Sequence, residues 1–279
     1  MRISVTHSTV YRYASPVYLE PHTIRLRPRD DGAQRLSSFA MEISPLPVGQ
    51  AECLDQDGNV VVEAWFEGLI SELTVRTMFT AETLRANPFA FLVRRGMAEL
   101  PPQYSASVYA ELSPYSLDAG IGEPVRQLAA AAAAEAGSRT VDFLSALNQK
   151  VYRSLQYVTR DLGPPHPPEE TLAEGQGSCR DFAMVFVAAC RAVGLAARFV
   201  SGYNCCPEHP HQSDMHAWAE VYIEGGGWRA YDPSAGLAVS TSHVAVAAAA
   251  APALAAPIVG AYRGAAPAKM EFAISVLGS

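Results

Sequence analysis

The chain has 279 residues, 49% of them hydrophobic and 18% charged, with 28 acidic against 21 basic side chains and a formal net charge of -7. That balance excludes a disordered or fibrous chain and argues against nucleic acid as the main partner. The five cysteines, Cys53, Cys179, Cys190, Cys205 and Cys206, are odd in number and too sparse for a disulfide scaffold, which points to mostly free thiols and the cytoplasm. No secretory signal is read behind Arg2, and no membrane partner is expected.

The first hundred residues read as β structure. ISVTHSTVYRY, HTIRLRP and SFAMEISPLP alternate or favour β-branched and aromatic residues, with Pro and Gly between them. Asp55-Gln56-Asp57-Gly58-Asn59 is a turn signal that leads into VVVEAWF as a hairpin, and ELTVRTMFTAETL supplies a further strand. Residues 1–100 are therefore expected to form a β-sandwich-like domain. Residues 101–120, rich in Pro and Tyr, read as a connection. Glu123-Pro124 opens an alanine-rich helix with Gly137 beyond its end, and Phe143, Leu147, Val151 and Leu155 recur every four residues along a second helix. DLGPPHPPEE must be a loop. A helix from Cys179, a strand ARFVSGY and two strands around HAWAEVYI and WRAYD follow. The alanine-rich stretch 244–262, broken by Pro252 and Pro257, does not read as a membrane span. The order gives an α+β class, with a second domain over 121–279.

The chemistry concentrates in Gly175-Gln176-Gly177-Ser178-Cys179-Arg180-Asp181-Phe182. Ser178 can cap a helix beginning at Cys179 and stopping before Gly194, and a cysteine in the first turn lies where unsatisfied N–H groups favour the thiolate. Cys190, three turns on, reads as a core residue. Arg180 and Asp181 read as a scaffold ion pair. In Met215-His216-Ala217-Trp218-Ala219-Glu220-Val221-Tyr222, alternation sets His216, Trp218, Glu220 and Tyr222 on one face. Gly225-Gly226-Gly227 turns the chain, and Trp228 to Asp232 returns it. An antiparallel pair brings His216 near Asp232, offset by a few residues, so a bulge or wider loop is expected between them. A thiol, a base and an orienting acid are what thiol-mediated acyl transfer needs.

These blocks, GQGSCRDFA, GLAARFVSGY, MHAWAEVYI and GGWRAYDPS in order, resemble the bacterial transglutaminase-like superfamily. SPVYLEPHTIRLRPRD with DQDGNVVVEAWF resembles the N-terminal β domain of its cysteine peptidase branch, and GAYRGAAPAKMEFAISV that branch's C-terminal return. The resemblance implies a papain-like α+β core with Cys179, His216 and Asp232 as the triad. It also implies a protein or peptide substrate and no cofactor. Amide hydrolysis through a thioester is favoured, with cross-linking, deamidation or a silent binding module as alternatives. Animal members hold the oxyanion with an upstream tryptophan. This chain has only Trp65, Trp218 and Trp228, so Tyr157 is the expected substitute donor. Tyr203, Trp218 and Tyr222 are candidates for the substrate groove. Cys205, Cys206, His209, His211 and Asp214 are the competing metal-site reading, set against the stiffening Pro207 and Pro210. His7, His22, His166 and His243 fall in no constellation.

Overall fold

Buried and less buried residues alternate from Arg2 to Val10 at the start of an eighteen-residue first strand, whose pairing shifts register between Arg12 and Val17. The computed structural model describes residues 1–118, 120–160, 162–205 and 214–279. Its strands begin with β1 (Arg2–Leu19), β2 (His22–Ile24), β3 (Gln34–Ser44), β4 (Gly49–Leu54), β5 (Val60–Trp65) and β6 (Ile70–Thr83). Helices α1 (Ala106–Leu112), α2 (Glu123–Glu135) and α3 (Thr140–Ser154) follow. Then come β7 (Gln156–Tyr157), α4 (Pro168–Glu174), β8 (Gln176–Gly177) and α5 (Cys179–Ala192). Strands β9 (Ala197–Asn204), β10 (His216–Ile223), β11 (Gly227–Asp232), β12 (Leu237–Ala238) and β13 (His243–Ala249) complete the second half. The chain closes with β14 (Ile258–Val259), β15 (Tyr262–Arg263) and β16 (Ala268–Gly278).

The class is α+β, as the sequence implies. Strands β1, β3, β6, β15 and β16 form one antiparallel sheet and β2, β4, β5 and β14 another. Ile24, Val62, Ala64 and Val75 pack with Ile43 and Phe66 between them, so the two inner faces share a core as in a sandwich. Two boundaries differ from the expectation. Strand structure in the first half stops at Thr83, and the region beyond it joins the helical half. The last strands, expected within 121–279, belong to the sandwich: β16 pairs with β1 from Ile3↔Gly278 to Tyr13↔Ala268.

The second half is a five-stranded sheet in the order β12-β11-β10-β9-β13, with α2, α3 and α5 on one face. Phe182, Phe186 and Ala189 of α5 lie in the same buried cluster as Ala219, Val221 and Ile223 of β10. Every residue of β13 is buried, which its run of alanines permits on both faces. Side-chain amides from the sandwich close the edge of β13. Gln34 accepts from Ala245 N–H at 2.7 Å and donates to its carbonyl at 2.8 Å. Asn59 does the same for Ala248, at 2.9 Å each way. Two buried amides thus imitate a neighbouring strand and tie the two halves together.

Two short helices escape the sequence reading. Helix α1 lies inside the expected connection, and α4 begins at Pro168 inside the proline loop, where a proline in the first turn lacks only an N–H that would be unpaired anyway. Among the described residues no helix is long and apolar enough to cross a membrane.

Candidate active site

Cys179 is the first residue of α5, and its neighbours explain why the helix starts there. The Asp181 carboxylate accepts from the Ser178 N–H and hydroxyl, each at 2.7 Å. It also accepts from His166 N–H at 2.7 Å and the Arg160 guanidinium at 2.6 Å. Burial would raise the Asp181 pKa, but these donors outweigh it and hold the carboxyl below its ordinary value. The expected Arg180–Asp181 pair is therefore replaced. Arg160, from the proline loop, is the partner of Asp181, while Arg180 donates to the Arg160 carbonyl. Adjacent positions on a helix diverge by about 100°, so Arg180 and Asp181 point to different surroundings.

Around the thiol the packing is close because the side chains are small. Ala183, Ala217, Ala247, Ala249 and Ala255 surround Cys179 together with Phe199. Cys179 is itself 8% exposed. It hydrogen-bonds His216, whose Nε2 is 2.7 Å from Asp232 Oδ2, which leaves Nδ1 for the sulfur. Burial alone would raise the thiol's pKa. Hydrogen bonding and charge from His216, the Ala217 N–H and the Arg180 charge bring it below the ordinary thiol value. Burial would lower His216, yet the Asp232 charge and its hydrogen bonds to Asp232 and Cys179 raise it well above the usual imidazole value. Asp232, fully buried, is held well below the carboxylate range by His216 and His243 against the cost of burial. All three directions favour a thiolate–imidazolium pair oriented by a carboxylate. Cys190 is the contrast: fully buried without such partners, its thiol is pushed well up.

The expected bulge between β10 and β11 does not occur. Ala219 stands opposite Tyr231, and the register runs without a shift to Ile223↔Gly227. By extension of that register Asp232 is opposite Trp218, on the same sheet face as His216 two residues away. A diagonal pair of this kind lies within reach of an imidazole and a carboxylate. Asp232 Oδ1 is held by Ser234, whose hydroxyl donates at 2.7 Å and whose N–H donates at 3.0 Å.

His243, unassigned from the sequence, completes the group. Its Nε2 is 3.1 Å from Asp232 Oδ2, and the Ser242 hydroxyl is 2.8 Å from its Nδ1. Burial, which outweighs Asp232, lowers its pKa, so it sits neutral beside the charged His216. Trp218 stacks near His216 with ring centroids 6.2 Å apart and meets His243 edge-on at 5.0 Å. Gly202, opposite His216, is required here: a Cβ would meet the Trp218 ring at 2.6 Å and the Val244 carbonyl at 2.1 Å.

Tyr157 reaches the site through the parallel pairing of β7 with β8, opposite Gly177, and its hydroxyl hydrogen-bonds Cys179. Burial and the Cys179 charge raise its pKa, so it stays a donor. The groove candidates are corrected. Tyr203 is fully buried, 2.7 Å from His7 Nδ1 and packed on Phe79, at the junction with the sandwich. Trp218, 2% exposed, backs the histidines instead of facing substrate. Tyr222 lies towards the far end of β10, against Tyr104 and Trp228. Alternation identified the strand face of Trp218 and Tyr222 but not the sheet and domain that cover it.

Two groups of donors among the described residues come within metal-ligand reach, His216–Asp232–His243 and His166–Glu170–Glu174. In the first, Asp232 Oδ2 already receives both imidazoles, so these donors satisfy one another. Of the loop read as a possible metal site, Cys206, His209 and His211 lie outside the described residues.

A transglutaminase-like superfamily core model matches residues 126–233, and the model of the bacterial transglutaminase-like N-terminal region matches residues 3–82. The chain belongs to the transglutaminase-like superfamily. Within it, the chain is 26% identical over 263 residues to an uncharacterised protein of Mycobacterium tuberculosis, covering 88% of this chain and 82% of that one. It is 24% identical over 265 residues to an uncharacterised protein of Mycobacterium leprae, covering 88% and 87%. The crystal structure of a candidate cysteine protease from Cytophaga hutchinsonii has the same fold. It aligns with a TM-score of 0.70 at 20% identity, over 100% of this chain and 91% of that one. This transglutaminase-like chain thus carries the superfamily core behind a β-sandwich that its last strand completes.

Proposed function

We propose that the protein is a cysteine-dependent acyl-transfer enzyme that hydrolyses an amide or peptide bond through a thioester on Cys179. The observation that carries this reading is the hydrogen-bonded line from Cys179 through His216 to Asp232, in which the thiol is lowered and the imidazole raised. The thiolate sulfur attacks the amide carbonyl carbon, and the C=O electron pair moves to oxygen. Tyr157 donates to that oxyanion. As the C–N bond breaks, the His216 imidazolium gives its proton to the leaving amine, and a thioester remains. His216, now neutral, takes a proton from the attacking water. Collapse releases the carboxylic acid and restores the thiolate–imidazolium pair. Asp232 fixes the imidazole tautomer and stabilises its charged form. Hydrolysis is the favoured outcome because water needs no dedicated acceptor site.

The test is competitive alkylation of the whole protein with iodoacetamide, mapped by mass spectrometry. Cys179 should react much faster than Cys53, Cys190, Cys205 and Cys206, and its rate should persist well below the free-thiol pKa of about 8.5. Equal rates at Cys179 and exposed Cys53, both falling with the free-thiol pKa, would refute the reading.

A further inference from the structure

A cavity of about 630 Å³ opens beside Cys179 and His216 between the two halves of the molecule. We propose that it is an acyl-donor pocket for an apolar side chain, and that the β-sandwich supplies its selecting wall; this rests on the acyl-transfer reading above. Three residues of β1 line the cavity, His7, Thr9 and Tyr11, and so do Ile274, Phe272 and Met270 of β16. In the ladder these are direct cross-strand partners, His7↔Ile274, Thr9↔Phe272 and Tyr11↔Met270. They therefore tile one continuous sheet face turned towards the thiol.

The alternation along β16 separates two environments. Lys269, Glu271, Ala273 and Ser275 are exposed on the outer face, while Met270, Phe272 and Ile274 are half-buried on the cavity side. Pro257, Ile258 and Val259 add a second apolar stretch to the lining. Arg160 pairs with Asp181 and Arg180 donates to the Arg160 carbonyl, and Asp214 is the carboxylate among the described lining residues. Both His7 nitrogens are bonded, one to Tyr203 and one to Thr9, and burial pushes its pKa down to about 4, so it is neutral. A volume of this size holds a peptide side chain with its flanking backbone. An aliphatic or aromatic side chain would gain by leaving water against the β1, β16 and 257–259 surfaces, and a carboxylate or ammonium would lose its hydration there, since those surfaces carry no charged group.

The test uses N-acetyl-aminoacyl chloromethyl ketones of Leu, Phe, Asp and Lys. In each, the thiolate sulfur displaces chloride from the methylene carbon, so a rate is obtained whether the enzyme's acceptor is water or an amine. The rate of Cys179 modification by mass spectrometry is divided by the iodoacetamide rate of the same sample. The Leu and Phe probes should exceed the Asp and Lys probes by roughly tenfold or more, the scale of side-chain discrimination in an apolar pocket. Phe272→Ser and Met270→Ser should reduce that ratio, and Ala273→Ser, on the outer face of β16, should not. A flat series, or a preference for Asp or Lys, on the unaltered chain overturns the pocket while selective iodoacetamide labelling leaves the nucleophile intact. Loss of selective iodoacetamide labelling overturns the acyl-transfer reading and this proposal with it. Folded pocket variants that keep the full preference also overturn it.

Discussion

Asp232 Oδ2 receives both His216 and His243, so one buried carboxylate oxygen governs the charge of one imidazole and is shared with a second, neutral one. Replacing it by Asn removes the charge that raises His216. The imidazolium then deprotonates at lower pH and the thiolate loses its counter-ion. The acid limb of the Cys179 alkylation profile should therefore move towards higher pH in Asp232→Asn, with acylation reduced strongly but not abolished. An unchanged limb in a folded variant would assign Asp232 to the turn alone. Tyr157→Phe removes one donor to the oxyanion. Single-turnover acylation should fall by roughly 10² or more, while iodoacetamide alkylation, which forms no oxyanion, falls far less. At this scale the sequence points to Cys179, His216 and Asp232 through helix-start chemistry, strand ends and family blocks, and to Tyr157 through the missing upstream tryptophan, and the structure brings these side chains into hydrogen-bonding contact. It is silent on His243, because a lone histidine opening an alanine-rich run has no local pattern, and its meaning comes only from Asp232, eleven positions earlier in the chain. Tyr203 and Trp218 mislead for the converse reason, since their burial is decided by distant Phe79 and His243.

Helix α5 and the proline loop depend on each other through Asp181. The helix was readable from Ser178, from the apolar stripe and from Gly194, whose positive φ of 86° ends it. The loop reads only as irregular. That its Arg160 and its His166 N–H converge on Asp181 requires a fold-back that no periodicity encodes. Asp181→Ala should strip the cap from Ser178 and strand the buried part of Arg160, costing about 3 kcal/mol in denaturant-measured stability. It should also slow Cys179 alkylation by loosening the first turn. A loss under about 0.5 kcal/mol would mean that water replaces the carboxylate at no cost. The β10–β11 hairpin teaches a different lesson. Glycines 225 to 227 and the alternation make it legible, yet the expected bulge is absent because diagonal partners on one face already meet.

Across the whole molecule, the sandwich docks on the second half through Gln34 and Asn59 pairing with the β13 backbone and through Ile3, Val5 and Phe79 packing on Tyr203, Val244 and Val246. Asn59→Ala would leave the Ala248 N–H and carbonyl buried without a partner, so stability should fall by roughly 2–4 kcal/mol. The melting temperature should fall with it, and an unchanged value would show that the Asn59 pairing adds nothing to the docking. In the sequence Asn59 reads as the last residue of a turn; nothing local marks it as the clasp of a sheet in the other half.

The pairing of β1 with β16 bears on how the protein is made. Arg12 and Glu271 form an ion pair 259 positions apart. Domains otherwise fold in order of synthesis, but here the first strand waits for the last, and contacts of such separation form slowly. The segment that bears Cys179, His216 and Asp232 is complete while β1 still shows an open edge and the cavity still lacks Met270, Phe272 and Ile274. Cys179 and its hydrogen-bonded partners would thus be synthesised before the β16 side chains that line the cavity beside them.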